Sequence, residues 1–193
     1  LPLYLQLAKG ISPATSGFML VTMTLGIVTS STLAGRYMGR TGRYRLLPMT
    51  GMTLATLAAL GMAQLDLGTP AVVFMAWITL FGLGMGLIFP VVTTAVQNAV
   101  PRAQLGTATA AGVLFRQIGG SLGVSAFGAL FVGGMMATLA TSGVTLPQGV
   151  TIGPGMAAAL PPGMQAQIGG AIVAALAPIF WIIAGLAVLG LGT

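Results

Sequence analysis

AVVFMAWITLFGLGMGLIFPVVTTA, residues Ala71–Ala95, runs for 25 positions without a charge. As a helix rising about 1.5 Å per residue it is long enough to cross the roughly 30 Å hydrocarbon core of a bilayer. Four more stretches have the same character: Pro13–Gly35, Leu46–Leu65, Thr107–Thr138 and Gly169–Gly192. Arg116 is the one charge inside any of the five. The 193 residues are 56% hydrophobic and 4% charged, with a mean hydropathy of +1.01. A soluble domain carries about 25% charged residues, so eight formal charges cannot clothe this chain in water. The expected fold class is all-α integral membrane, one membrane domain over residues 1–193 with five full transmembrane helices. Leu1–Leu7 (LPLYLQL) look like the last turns of a sixth, and a chain beginning at Leu1 inside an apolar stretch reads as a fragment.

One Asp and no Glu, His or Cys exclude most site chemistry. Zinc and iron–sulfur ligand sets, nucleophile–His triads and paired-carboxylate mechanisms all need residues that are missing. The reading is therefore not an enzyme, with no cofactor and no metal. The net charge of +6 does not indicate nucleic acid, because the chain is basic through lack of acids. Four of its seven cations fall between Arg36 and Arg45, with no aromatic–basic platform around them. In a multi-pass cell-membrane protein such a cluster marks the cytoplasmic side. By parity Arg102 and the C-terminus are cytoplasmic, while Lys9, Asp66 and a long loop over 139–168 lie outside. That loop has room for a short interfacial helix at Met156–Leu160. Ser12-Pro13 is an N-cap followed by Pro at the first helical position, and Asp66–Pro70 is a tight polar turn.

Polar and small residues recur at helical spacing. In the third span Thr79, Gly82, Gly86, Pro90, Thr93 and Gln97 share one face. Gly82 and Gly86 form a G-x-x-x-G pair suited to close helix approach, and Pro90 is expected to kink the helix. Packing and cavity lining are both open for that face. In the fourth span Gln117, Ser121, Ser125 and Gly128 align, with Gly112, Arg116, Gly119 and Gly123 beside them. A charge at mid-span costs about 2.5–3.5 kcal/mol on insertion scales, so Arg116 either faces a bundle interior or snorkels from the boundary. Thr22, Gly26, Thr29 and Ser30 lie on one face of the first span, as polar lining or helix glue. The last span, without hydroxyl, amide or charge, is expected to face lipid broadly.

The basic loop reads GRYMGRTGRYR, Gly35–Arg45, with Gly35, Arg36, Arg40, Gly42 and Arg43 in the skeleton G-x-x-x-x-R-x-G-R-x-R. It resembles the loop signature of the major facilitator superfamily, except that Gly39 stands where an acid usually precedes the central Arg. Either a gating role or a plain positive-inside loop fits it. LPLYLQ, Ser12-Pro13, Gly17, this loop, GLGMGLIFP (Gly82–Pro90) and FRQIGGSLGV (Phe115–Val124) follow in an order similar to fourteen-helix drug:proton antiporters of the EmrB/QacA type. The resemblance implies the end of one helix and the last five of a C-terminal bundle, with an N-terminal half elsewhere. It implies multidrug efflux by alternating access, with the first, third and fourth spans on the central cavity. A small amphipathic substrate would then meet Thr22, Phe74, Trp77, Thr93, Gln97, Arg116 and Gln117. Gly82, Gly86, Pro90, Gly119 and Gly123 would serve packing or hinging. Proton coupling needs a carboxylate outside this chain, since Asp66 sits at an outer turn. The alternatives are a metabolite transporter of the same superfamily and a truncated or accessory membrane module.

Overall fold

The computed structural model describes residues 5–6, 11–141 and 162–191. Among them are five long α-helices: α1 Pro13–Thr41, α2 Leu46–Ala63, α3 Ala71–Asn98, α4 Leu105–Thr141 and α5 Pro162–Leu191. A single 3-10 turn, Arg102–Gln104, leads into α4. Each long helix has the length and apolarity to cross a membrane. The segment Met156–Leu160 lies outside the described residues.

Helix ends follow local chemistry rather than the hydrocarbon boundary. Ser12 caps α1, its Oγ accepting from the Thr15 N–H at 3.2 Å, with Pro13 at the first position. α1 continues to Thr41, six residues past the expected span end, so Gly35, Arg36 and Arg40 are helical and not in a loop. The reversal falls at Gly42, whose φ of 65° is the left-handed cap that glycine adopts without strain. Gly42 N–H closes on Met38 O at 2.9 Å. Between α2 and α3 the Thr69 hydroxyl donates to Asp66 Oδ1 at 2.7 Å and accepts from the Asp66 N–H at 3.0 Å. α5 begins at Pro162, inside the stretch expected as loop over 139–168.

α1 and α3 run parallel and touch through glycine. A β-carbon on Gly26 would lie 2.8 Å from the Thr79 carbonyl, and one on Gly82 or Gly86 would run into the Met23 or Ile27 carbonyl. The Ser30 hydroxyl at this seam turns onto its own helix, donating to Gly26 O at 2.9 Å. α2 crosses α3 antiparallel, Gly51 against Gly84 and Gly61 against the Trp77 indole. Close backbone approach of this kind substitutes for the hydrophobic drive that lipid removes.

The core gathers at the Asp66 end, where Leu5, Met62, Phe74, Ile78, Met135, Leu139, Ile168 and Ile172 are buried together. α5 departs from the expectation of broad lipid contact. Ile168, Ala171, Ile172, Ala175 and Ile179 form a buried stripe at helical spacing against α2 and α4. The lack of polar side chains after Gln167 reflects dry packing as much as lipid. α4 is the most exposed helix, with only Met135 and Leu139 buried among its described residues.

Candidate functional site

At the end that carries Arg36–Arg45, where a short turn joins α3 to α4, the two helices border a cleft of about 400 Å³. Ile88, Phe89, Val92, Thr93 and Val96 line it from α3, and Thr109, Gly112, Val113, Phe115 and Arg116 from α4. The Arg116 guanidinium stands 5.8 Å from the Phe89 ring centroid, a cation–π distance. Gln97 Nε2 donates to Thr109 Oγ1 at 3.2 Å and ties the two helices at the cleft's outer rim. The Thr93 hydroxyl donates to Phe89 O at 3.1 Å and keeps its lone pairs for a ligand.

Depth along α3 bears on both readings of Arg116. Phe89 is about 7 Å by helical rise from the midpoint of α3, well inside a slab that extends about 15 Å each way. Arg116 stands beside it, its guanidinium on an aromatic face at that level of the helix. Gln97 is about 19 Å from the same midpoint, beyond the half-thickness of such a slab.

Of the seven expected pathway residues, Thr93, Gln97 and Arg116 meet at this cleft. Gln117 is exposed on α4 and does not line it. Thr22 is half-buried on α1, its hydroxyl donating to Met19 O at 2.7 Å. Phe74 is 1% exposed in the core, and Trp77 lies on Gly61 at the α2–α3 seam. Neither aromatic shares a wall with Arg116, because both point into the helix–helix packing that their size serves. Gly119 and Gly123 have no neighbour within 4 Å of a built β-carbon, so they pack against nothing among the described residues. α3 runs through Pro90 as one helix. The expected polar face of α3 is divided: Gly82 and Gly86 serve α1, Thr93 and Gln97 serve α4.

Phe89 and Thr109 were missed by sequence reasoning. A signal for both existed, since Thr109 precedes Arg116 by seven residues and Phe89 precedes Thr93 by four, each on the same helix face. A second cavity, about 540 Å³, is lined by Met23, Met62, Phe81, Phe127, Phe131 and Phe180 among other apolar groups. It offers no charged or hydroxyl side chain to orient a ligand.

The chain is 35% identical over 192 residues to an uncharacterized MFS-type transporter of Mycobacterium tuberculosis, a match covering 98% of this chain and 28% of that protein. It is 34% identical over 128 residues to a tetracycline resistance determinant of Streptomyces rimosus, covering 65% and 36% respectively. With the multidrug transporter protein MdtP of Bacillus subtilis it shares 31% over 129 residues, 67% of this chain and 24% of that one. The chain thus spans well under half the length of each of these relatives. Membrane-length helices joined by glycine seams, a basic turn at one end and a model match over residues 1–124 converge: the chain belongs to the Major Facilitator Superfamily.

Proposed function

We propose that this chain forms the C-terminal helical wall of an alternating-access exporter of small amphipathic molecules. The observation that carries the reading is Arg116 on Phe89, opening on a mostly apolar cleft. An apolar site with a few convergent polar groups is what a small-molecule pathway requires. Thr93 and Thr109 add short hydrogen-bonding groups, and exposed Gln117, Ser121 and Ser125 extend a polar face along α4. Relatives named for multidrug transport and tetracycline resistance support export. Coupling to protons would require a titratable group beyond this chain, since the described helices hold no Asp, Glu or His. An N-terminal helical half, supplied by the rest of the protein, would close the other side of the path.

A second reading, a metabolite carrier of the same superfamily, is favoured by one fact. Arg116 has no carboxylate at its depth, so an anionic cargo would complete its charge. The test is Arg116→Ala in the protein expressed from its complete gene. Export of dye substrates should fall about tenfold or more, as expected when a charge-assisted contact to the cargo of about 1.5–3 kcal/mol is lost, with membrane abundance near wild type. Unchanged export would return Arg116 to a purely structural role. Loss confined to anionic cargo would favour the second reading.

A further inference from the structure

The end of the bundle with Arg36–Arg45 holds a cavity separate from the Arg116 cleft. Of about 740 Å³, it opens between the last turn of α1, the first turn of α2 and the lower half of α3. Arg43, Arg45, Tyr37 and Tyr44 line it together with Val92 and Ala95 of α3. A neighbouring cavity of about 500 Å³ takes in Arg36 and Arg40 on the other side of Tyr37. Four guanidinium groups therefore gather where the chain supplies no counter-charge. Its one side-chain carboxylate, Asp66, stands beyond the other end of α2, about 27 Å away by helical rise.

Depth matches the chemistry. Val92 lies about 11 Å and Ala95 about 16 Å along α3 from its midpoint, so the cavity straddles the edge of a hydrocarbon slab of about 30 Å. Val92 is 53% and Leu46 63% exposed, apolar surface that a soluble anion would leave uncovered. Guanidinium forks match phosphate oxygens in pairs, and basic recesses between helices at this level suit anionic headgroups. We propose that this cavity is a binding site for an anionic phospholipid. The phosphate sits between Arg43 and Arg45, and an acyl chain lies along Val92 and Ala95. The site needs the helices to span a bilayer, but not the substrate pathway at Arg116.

The test uses the protein expressed from its complete gene, in nanodiscs of equal parts phosphatidylglycerol and phosphatidylcholine, with retained lipid read by native mass spectrometry. Wild type should retain phosphatidylglycerol preferentially. Arg43→Gln with Arg45→Gln should weaken retention about 30-fold, the effect of two cations near an anionic surface. Arg102→Gln, at the same end but outside the cavity, should change nothing. Val92→Trp should weaken retention by filling the acyl wall while leaving the arginines in place. If thermal unfolding shows that variant misfolded, Ala95→Leu replaces it. Equal retention of both lipids overturns the proposal, and so does equal loss in Arg102→Gln, which would mean general surface charge. Displacement by millimolar inorganic phosphate, or full retention in the wall variant, makes this a free-anion site and also overturns it.

Discussion

Gly86 and Gly119 are the same residue type in opposite surroundings. A β-carbon on Gly86 would collide with the Ser30 hydroxyl and the Ile27 carbonyl of α1, whereas one on Gly119 meets nothing within 4 Å. Gly86→Leu should therefore reduce the folded yield of detergent-solubilised protein severalfold, because overpacking against backbone costs about 1–3 kcal/mol or more. Gly119→Ala should leave yield unchanged or raise it, by the roughly 0.5–1 kcal/mol that Ala gains over Gly in a helix. Fluorescence-detected size exclusion reads both, and equal losses would place α4 in a packing seam. Spacing in the sequence identified Gly82 and Gly86 as a close-approach pair, yet marked Gly119 and Gly123 in the same way. A spacing names a face and not its neighbour. Phe74 and Trp77 illustrate the same gap, since an aromatic within a span fits a substrate wall and a core equally well until the partner helix is placed.

Helix positions were legible because hydropathy over some twenty residues is a strong signal; helix ends were not, because bilayer thickness does not stop a helix. α1 passes Gly35 and stops at Gly42, where the chain can take a φ of 65°. Gly42→Ala should cost about 1 kcal/mol by forcing a β-carbon into the left-handed region, whereas Gly35→Ala, inside α1 with open space around it, should be neutral or stabilising by up to about 1 kcal/mol. Thermal unfolding in detergent separates the two. The α3–α4 pair shows what an element gains from one polar link. These helices share few contacts, and the Gln97–Thr109 hydrogen bond is the described polar bridge between them. Gln97→Leu should loosen the first turns of α4, raising amide exchange there about fivefold for the loss of a bond worth about 1 kcal/mol. Unchanged exchange would mean that apolar contacts alone hold the rim.

Across the whole bundle, helix direction turns a charge count into an orientation. Parallel α1 and α3 bring the turn after Thr41 and the turn after Asn98 to the same end. Arg36, Arg40, Arg43, Arg45 and Arg102 therefore cluster there, and Asp66 stands at the other end. α5 ends beside Met52, since a β-carbon on Gly190 would lie 2.7 Å from Met52 Cε, in the half of α2 nearer the arginines. By the positive-inside rule such a distribution of cations predicts a cytoplasmic basic end. The chain has no cysteine, which permits a direct measurement. Gly68→Cys in the α2–α3 turn and Ala103→Cys in the 3-10 turn are both exposed positions. In a background otherwise free of cysteine, a membrane-impermeant maleimide applied to intact cells should label Cys at 68 and leave Cys at 103 untouched until the cells are opened. The reverse pattern would invert the orientation, whereas labelling of both from outside would mean that α3 does not cross the bilayer.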